Sequence, residues 1–176
     1  ALDKVIGKLF MAGRIEEAKE VAEYGVNIGS DDLFVHSTLG FFHFLAGNLE
    51  ESLHEFKRCC ELSGSNSHSL FQLISVYVKI GDKQLAEKVY ADLESQFQQH
   101  RTQPLSMAMA AAMMGKSKYA LEMVQLAADN HDAGYPFYLL GWSELSKPLL
   151  KLPGIKEILI RSGIPLHEKW HEIGLV

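Results

Sequence analysis

The sequence predicts an all-α fold, an α-solenoid in which antiparallel helix pairs repeat along the chain. Two observations carry this prediction. Four glycines follow one another at a constant interval of 34 residues: Gly13, Gly47, Gly81 and Gly115. Five positions after each glycine comes a small residue: Ala18, Ser52, Ala86 and Ala120. A fixed period of this length is typical of helical repeats, in which neighbouring units stack on one continuous core.

Each glycine separates two segments of helix length. The segments divide most of the chain into four units, at about 1–31, 32–65, 66–99 and 100–133. The predicted helices are 2–12 and 15–28, 32–46 and 49–63, 67–80 and 83–97, and 102–114 and 117–130. Glycine ends the first helix of a pair because it adopts a left-handed backbone conformation without strain. The side-chain oxygens of Asn48, Asp82 and Ser117 are then expected to cap the second helices.

The residues around these glycines resemble the tetratricopeptide repeat (TPR) pattern, W-x2-L-G-x2-Y followed by A-x3-F. The second unit reads His36-x2-Leu39-Gly40-x2-His43 and then Ser52-x3-Phe56. The third unit reads Leu70-x2-Leu73-Ile74-x2-Tyr77 and then Ala86-x3-Tyr90. The fourth unit keeps only Met107, Ala108 and Ala111 before Ala120 and Val124, so it is degenerate, as is the first. The resemblance implies a right-handed superhelix and a function in protein–protein interaction.

The last segment, 134–176, departs from the period and is expected to form a fifth helix followed by an irregular C-terminal cap. The fifth helix begins at Tyr135-Pro136, and Pro148 and Pro153 interrupt the partner helix expected around Leu149. The segment 155–161 indicates one more short helix. Terminal units of a repeat array close off its core, so capping is the ordinary role for such a segment.

The tail also carries a second resemblance. Pro148-Leu149-Leu150, Gly163-Ile164-Pro165 and Trp170 through Gly174 resemble the end of the TPR region in bacterial winged-helix transcriptional regulators and in repeat-bearing adenylate cyclases. This resemblance implies that the single domain 1–176 is a fragment of a longer protein. The chain would then be the sensory or interaction half of a bacterial signalling regulator.

Composition limits the class of partner. The formal net charge is −5, so no overall basic field is available to bind nucleic acid or an anionic membrane surface. No apolar run reaches the length of about 20 residues that a membrane span needs. The adjacent Cys59 and Cys60 are expected to be reduced, since a disulfide between sequence neighbours is strained. Free cysteines favour a cytoplasmic location, although a membrane-bound regulator can place its repeats outside the cytoplasm.

One motif suggests metal chemistry. His167-Glu168-Lys169-Trp170-His171 matches H-E-x-x-H, in which one helical face offers two imidazoles to zinc and a general base. The sequence ends at Val176, one position before the longer form of the motif would supply a third ligand. Zinc hydrolysis is therefore the remote alternative. The preferred interpretation has no catalytic residues, metal ligands or cofactor.

In the TPR family the first helix of each pair lines a concave groove. The corresponding positions here are mostly apolar: Phe10, Phe34, Ser37, Phe41, Phe44, His68, Phe71, Ser75, Val78, Leu105 and Met109. The TPR variant that grips a C-terminal carboxylate uses Lys, Arg and Asn at such places, and Asp3, Gly7 and Phe41 do not match it. An exposed apolar stripe of this length usually marks an interaction surface.

The leading hypothesis is that the groove binds a protein or peptide partner, an amphipathic helix whose apolar face meets the Phe side chains. The alternative is a homo-oligomerisation scaffold, in which a second copy or the chain's own tail covers the groove. Substitution of Phe41 by Glu is expected to abolish partner capture and to leave the helical content intact.

Overall fold

The computed structural model describes residues 2–130 and 143–161, and its regular elements in these ranges are helices, with no strand. The ten helices of these two ranges are α1 Leu2–Met11, α2 Ile15–Asn27, α3 Leu33–Ala46, α4 Leu49–Ser63, α5 Ser67–Ile80, α6 Lys83–Gln98, α7 Pro104–Met113, α8 Ser117–Asp129, α9 Ser143–Leu150 and α10 Ile155–Arg161. The eight repeat helices agree with the prediction to within two residues at each end. The all-α class is confirmed.

The chain divides into two compact units, Ala1–Lys83 and Gln84–Val176. In the first unit α1 packs on α2, α2 on α3, α3 on α4 and α4 on α5, and α1 also packs on α3. In the second unit α7 packs on α8, while α9 packs on α7 and α10 on α8. Packing between neighbours in sequence agrees with the expected repeat arrangement. That 1–176 forms one domain stays a prediction.

The repeat is visible in which residues are buried. Each second helix buries three residues on one face, and the same three positions recur every 34 residues: Ala18, Ala22 and Gly25 in α2, Ser52, Phe56 and Cys59 in α4, Ala86, Tyr90 and Leu93 in α6, and Ala120, Val124 and Ala127 in α8. The other faces of these helices carry most of their charged residues. The second helices are therefore amphipathic surface helices.

The turn inside each pair has the same hydrogen bond. The N–H of the residue after the glycine donates to the carbonyl five residues earlier, as in Asn48 to His43 (2.9 Å) and Asp82 to Tyr77 (3.0 Å). This bond belongs to a Schellman-type ending and requires a left-handed residue, which Gly47 supplies at φ 81°. The predicted glycine stop is confirmed.

The predicted caps of α4 and α8 are wrong. Asn48 makes no side-chain capping bond, and Ser117 is the first helical residue of α8, behind Lys116, which also makes none. A capping side chain needs an extended backbone, and the tight glycine turn holds Asn48 at ψ 73° and Lys116 at ψ 59°.

The second unit also corrects one expectation for the C-terminal segment. Pro148 lies inside α9 rather than ending it, and α10 begins at Ile155 as predicted. One missing backbone bond is tolerated in this short helix because Leu145, Leu149 and Leu150 are buried on it. The predicted fifth helix at Tyr135-Pro136 and the regulator-like tail beyond Arg161 lie outside the described residues, so both stay predictions.

Candidate protein-binding surface

The predicted groove residues all lie on first helices of their pairs. Phe10 is on α1, Phe34, Ser37, Phe41 and Phe44 are on α3, and His68, Phe71, Ser75 and Val78 are on α5, all in the first unit. Leu105 and Met109 are on α7 in the second unit.

Most of these side chains are buried, which contradicts the expected exposed stripe. The buried positions are Ser37, Phe41, Phe44, Phe71, Ser75, Leu105 and Met109. Their helices are enclosed on every side, because all residues from Val35 to Phe42, from Ser69 to Tyr77 and from Met107 to Ala112 are buried. A helix that is apolar all round belongs in a core, and its sequence alone does not show which face a groove would expose.

Two of the predicted groove residues, Ser37 on α3 and Ser75 on α5, each form a buried hydrogen bond with Gln72. The Gln72 side-chain amide donates to Ser37 Oγ at 2.7 Å, and Ser75 Oγ donates to the Gln72 carbonyl at 2.6 Å. A buried polar group loses its hydrogen bonds to water, and bonds such as these replace them. The bond of Ser37 therefore joins the first helices of neighbouring pairs, whereas that of Ser75, to the backbone carbonyl of Gln72, lies within α5. Both serines are buried away from a partner.

His68 lies half-buried at the start of α5, with its ring 6.3 Å from that of Phe71. Burial disfavours the charged imidazolium and lowers the pKa of His68 to about 4. The side chain is therefore neutral near pH 7 and contributes no positive charge to this surface.

In the second unit α7 is covered by the chain itself. Both α8 and α9 pack against it, and Leu145 and Leu149 of α9 are buried. Leu105 and Met109 are each 2% exposed. Within the second unit, helix α9 of the C-terminal segment therefore packs over α7, and the homo-oligomerisation alternative stays a prediction.

One predicted groove residue of the first unit, Val78, is exposed, next to the buried Phe44 and in line with the half-buried Phe10. Phe10, Phe44 and Val78 occupy equivalent positions, 34 residues apart, near the ends of α1, α3 and α5. Val78 is 39% exposed, and two further exposed apolar residues lie beside this row in the chain, Leu45 at 42% and Ile80 at 46%. We call these five residues, Phe10, Phe44, Leu45, Val78 and Ile80, the apolar rim.

Lys79 of α5 contacts Phe44 of α3 and adds a positive charge to the rim. Its ammonium group lies 4.0 Å from the centre of the Phe44 ring and donates to the Phe44 carbonyl at 2.8 Å. Among the described residues no carboxylate forms an ion pair with Lys79. Two of the three ammonium hydrogens are thus free for other acceptors.

The cysteine thiols are poorly suited to redox or metal chemistry. Burial raises the pKa of Cys59 to about 12 and that of Cys60 to about 11, so both are protonated near pH 7. Within the described ranges no three His, Cys, Asp or Glu side chains come close enough to hold a metal ion. His167, Glu168 and His171 lie outside those ranges. The described helices also include none that is long and apolar enough to cross a membrane.

Sequence reasoning missed an open pocket in the second unit. The pocket has a volume of about 620 Å³ and lies between α6, the link to α7, and α8. Glu94, Phe97, His100, Tyr119 and Leu126 are among its lining residues. The sequence does repeat an acidic and an aromatic residue along α6, Glu87 with Tyr90 and then Glu94 with Phe97. This repetition indicates a pocket only when the position of α8 is known, because α8 supplies part of the lining.

Comparison of the chain with protein-family models, with curated proteins and with solved structures finds no match.

Proposed function

We propose that this chain is a TPR-type repeat domain that binds a protein partner through the apolar rim of its first unit. The partner is an amphipathic helix whose apolar face covers Val78, Leu45 and Ile80. The observation that supports this is the exposure of three large apolar side chains, Leu45, Val78 and Ile80, near the C-terminal ends of α3 and α5, two helices whose central residues are buried.

The charge at the rim supports a particular kind of helix. Lys79 presents an ammonium group beside Phe44 that no described carboxylate neutralises. A partner helix with Asp or Glu next to its apolar face gains a charge-assisted hydrogen bond there. The same ammonium group disfavours a basic partner, because like charges at a rim oppose docking.

The test uses an exposed position, because Phe41 is only 4% exposed and its ring lies edge-on to that of Phe42 at 6.1 Å. Glu at position 41 would place a charge in the core and unfold the domain, contrary to the expectation from sequence. Val78→Glu changes the surface of the rim instead. Val26→Glu is the matched control, since Val26 is 37% exposed on α2 of the same unit.

The experiment is affinity capture from a lysate of the source organism, followed by titration of the segment identified, as a synthetic peptide. We expect Val78→Glu to weaken binding at least about tenfold, or about 1.4 kcal/mol, and Val26→Glu to leave it within about twofold of the original. Equal binding by the two variants would contradict the proposal. Light scattering supplies the other outcome: a dimer that only Val78→Glu dissociates would assign the rim to a second copy of the chain.

A further inference from the structure

The second unit already contains one cation held between an aromatic ring and a carboxylate. The Lys116 ammonium group lies 3.7 Å from the centre of the Tyr90 ring and 3.7 Å from Glu87 Oε2. Tyr90 and Glu87 are both on α6, and Lys116 directly precedes α8. An ammonium group over a tyrosine face is attracted by the electrons of the ring, and the carboxylate adds ionic attraction.

The same pair of residue types recurs two helical turns further along α6. Glu94 and Phe97 follow Glu87 and Tyr90 by seven residues, which places them on the same side of the helix. Both line the open pocket described above. Where Lys116 lies beside Glu87 and Tyr90, the corresponding neighbours of Glu94 and Phe97 in the pocket are Tyr119 and Leu126 of α8.

Glu94 supplies a carboxylate and His100 is the titratable base among the described lining residues of the pocket. Its described lining residues include neither Lys nor Arg, and Glu94 forms no ion pair within the described part of the chain. Burial, followed by the negative charges of Glu94 and Glu122, raises the pKa of Tyr119. Since a neighbouring tyrosine is affected by these carboxylates, a cation in the pocket would be attracted by the same charges.

We propose that this pocket binds the side chain of an arginine or lysine from a partner protein, with its charged end at Glu94 and its aliphatic stem between Phe97 and Leu126. Long basic side chains suit such a site because their stems are apolar and their ends are charged. The volume of about 620 Å³ also leaves room for an apolar residue next to the basic one. This site lies in the second unit and does not depend on the apolar rim.

The test compares two peptides, acetyl-Leu-Arg-Leu-amide and the same peptide with citrulline in place of arginine. Citrulline keeps the shape of the side chain and removes its charge. Nuclear magnetic resonance titration of the whole chain follows the signals of Phe97, Tyr119 and Leu126. We expect the dissociation constant obtained from these signals to be at least about tenfold lower for the arginine peptide than for the citrulline peptide. Added salt should reduce this difference in affinity, because it screens the charge of the arginine.

Two variants make the outcome decisive. Glu94→Gln should reduce affinity for the arginine peptide about tenfold, while Asp92→Asn, an equal charge change at an exposed position of α6 outside the pocket, should not. Phe97→Leu supplies a second test if Glu94→Gln fails to fold, since it removes the ring and keeps the apolar wall. Equal binding of the two peptides, or full affinity in both pocket variants, would overturn the proposal.

Tetramethylammonium serves as the third probe. If it shifts the same signals and binds with the same affinity as the arginine peptide, the pocket is a site for a free organic cation and the assignment to a partner side chain is wrong. Val78→Glu is included as well. This variant alters the rim and leaves the pocket residues unchanged, so it should bind the arginine peptide like the original chain. The two proposals can therefore fail independently of each other.

Discussion

Gly40 shows how the absence of a side chain sets the distance between two helices. A Cβ atom at this position would overlap the ring of Phe56, which is fully buried across the crossing of α3 and α4. Ser52, on the same face of α4, donates from Oγ to the Gly40 carbonyl at 2.8 Å. Ser52 and Phe56 thus act together at this crossing. The absence of a side chain at Gly40 leaves room for the Phe56 ring, and the close approach of the helices brings Ser52 within hydrogen-bonding distance of the Gly40 carbonyl.

Gly40→Ala is expected to destabilise the protein by about 1–3 kcal/mol, since the added Cβ would lie closer to an atom of the fully buried Phe56 ring than van der Waals contact allows. Gly7→Ala on α1 is the control. Apart from its chain neighbours and the nearby backbone of its own helix, no described atom lies within 4 Å of the position where its Cβ would be, so alanine should stabilise that helix by about 0.5–1 kcal/mol. Urea denaturation measures both changes. A neutral effect at Gly40, or equal destabilisation at both sites, would contradict the packing described.

Among the helix ends, two kinds of turn are used for two kinds of junction. Within a pair, as at Gly47-Asn48, a short glycine turn leaves the next residue outside the extended region. Between pairs, Asp32 and Asn66 are extended, and their side chains accept from the Phe34 N–H at 2.8 Å and the Ser69 N–H at 2.9 Å. Side-chain caps therefore begin the buried first helices α3 and α5.

Asp32→Ala should lower the free energy of unfolding by about 1 kcal/mol, because the Phe34 N–H loses its acceptor at the start of α3. Asn48→Ala should change it by less than about 0.5 kcal/mol, because the Asn48 side chain caps nothing. Thermal unfolding of the two variants under identical conditions makes the comparison. If Asn48→Ala proved the more damaging change, the assignment of caps to junctions between pairs would be wrong.

Across the molecule, the first helices α3, α5 and α7 are enclosed along their central turns, whereas each second helix leaves one face in solvent. In α3, α5 and α7 the central residues are buried without interruption, whereas α4, α6 and α8 bury three positions each. A first helix can open only if its neighbours also move. A second helix loses fewer buried contacts when it opens, so local opening should differ between the two kinds of helix.

Amide hydrogen exchange tests this difference in the intact chain. We expect the slowest exchange in the central turns of α3, α5 and α7, with exchange in α2, α4 and α8 faster by about tenfold or more, because a difference of 1.4 kcal/mol in opening free energy suffices for that factor. Uniform exchange across first and second helices would show that each unit opens only as a whole.

The sequence by itself determined the helices, their 34-residue period and the small and aromatic positions at which second helices meet the core. These features depend on residues close together in the chain: a glycine that ends a helix, a spacing of 3.6 residues per turn and a repeated small residue. The family assignment and the binding function stay predictions. Only the tertiary structure decided which apolar side chains of the first helices remain exposed, that α9 covers α7, and that Glu94 and Tyr119 meet at one pocket. The physical reason is that burial depends on the elements packed around a residue, and such neighbours can be distant in the chain.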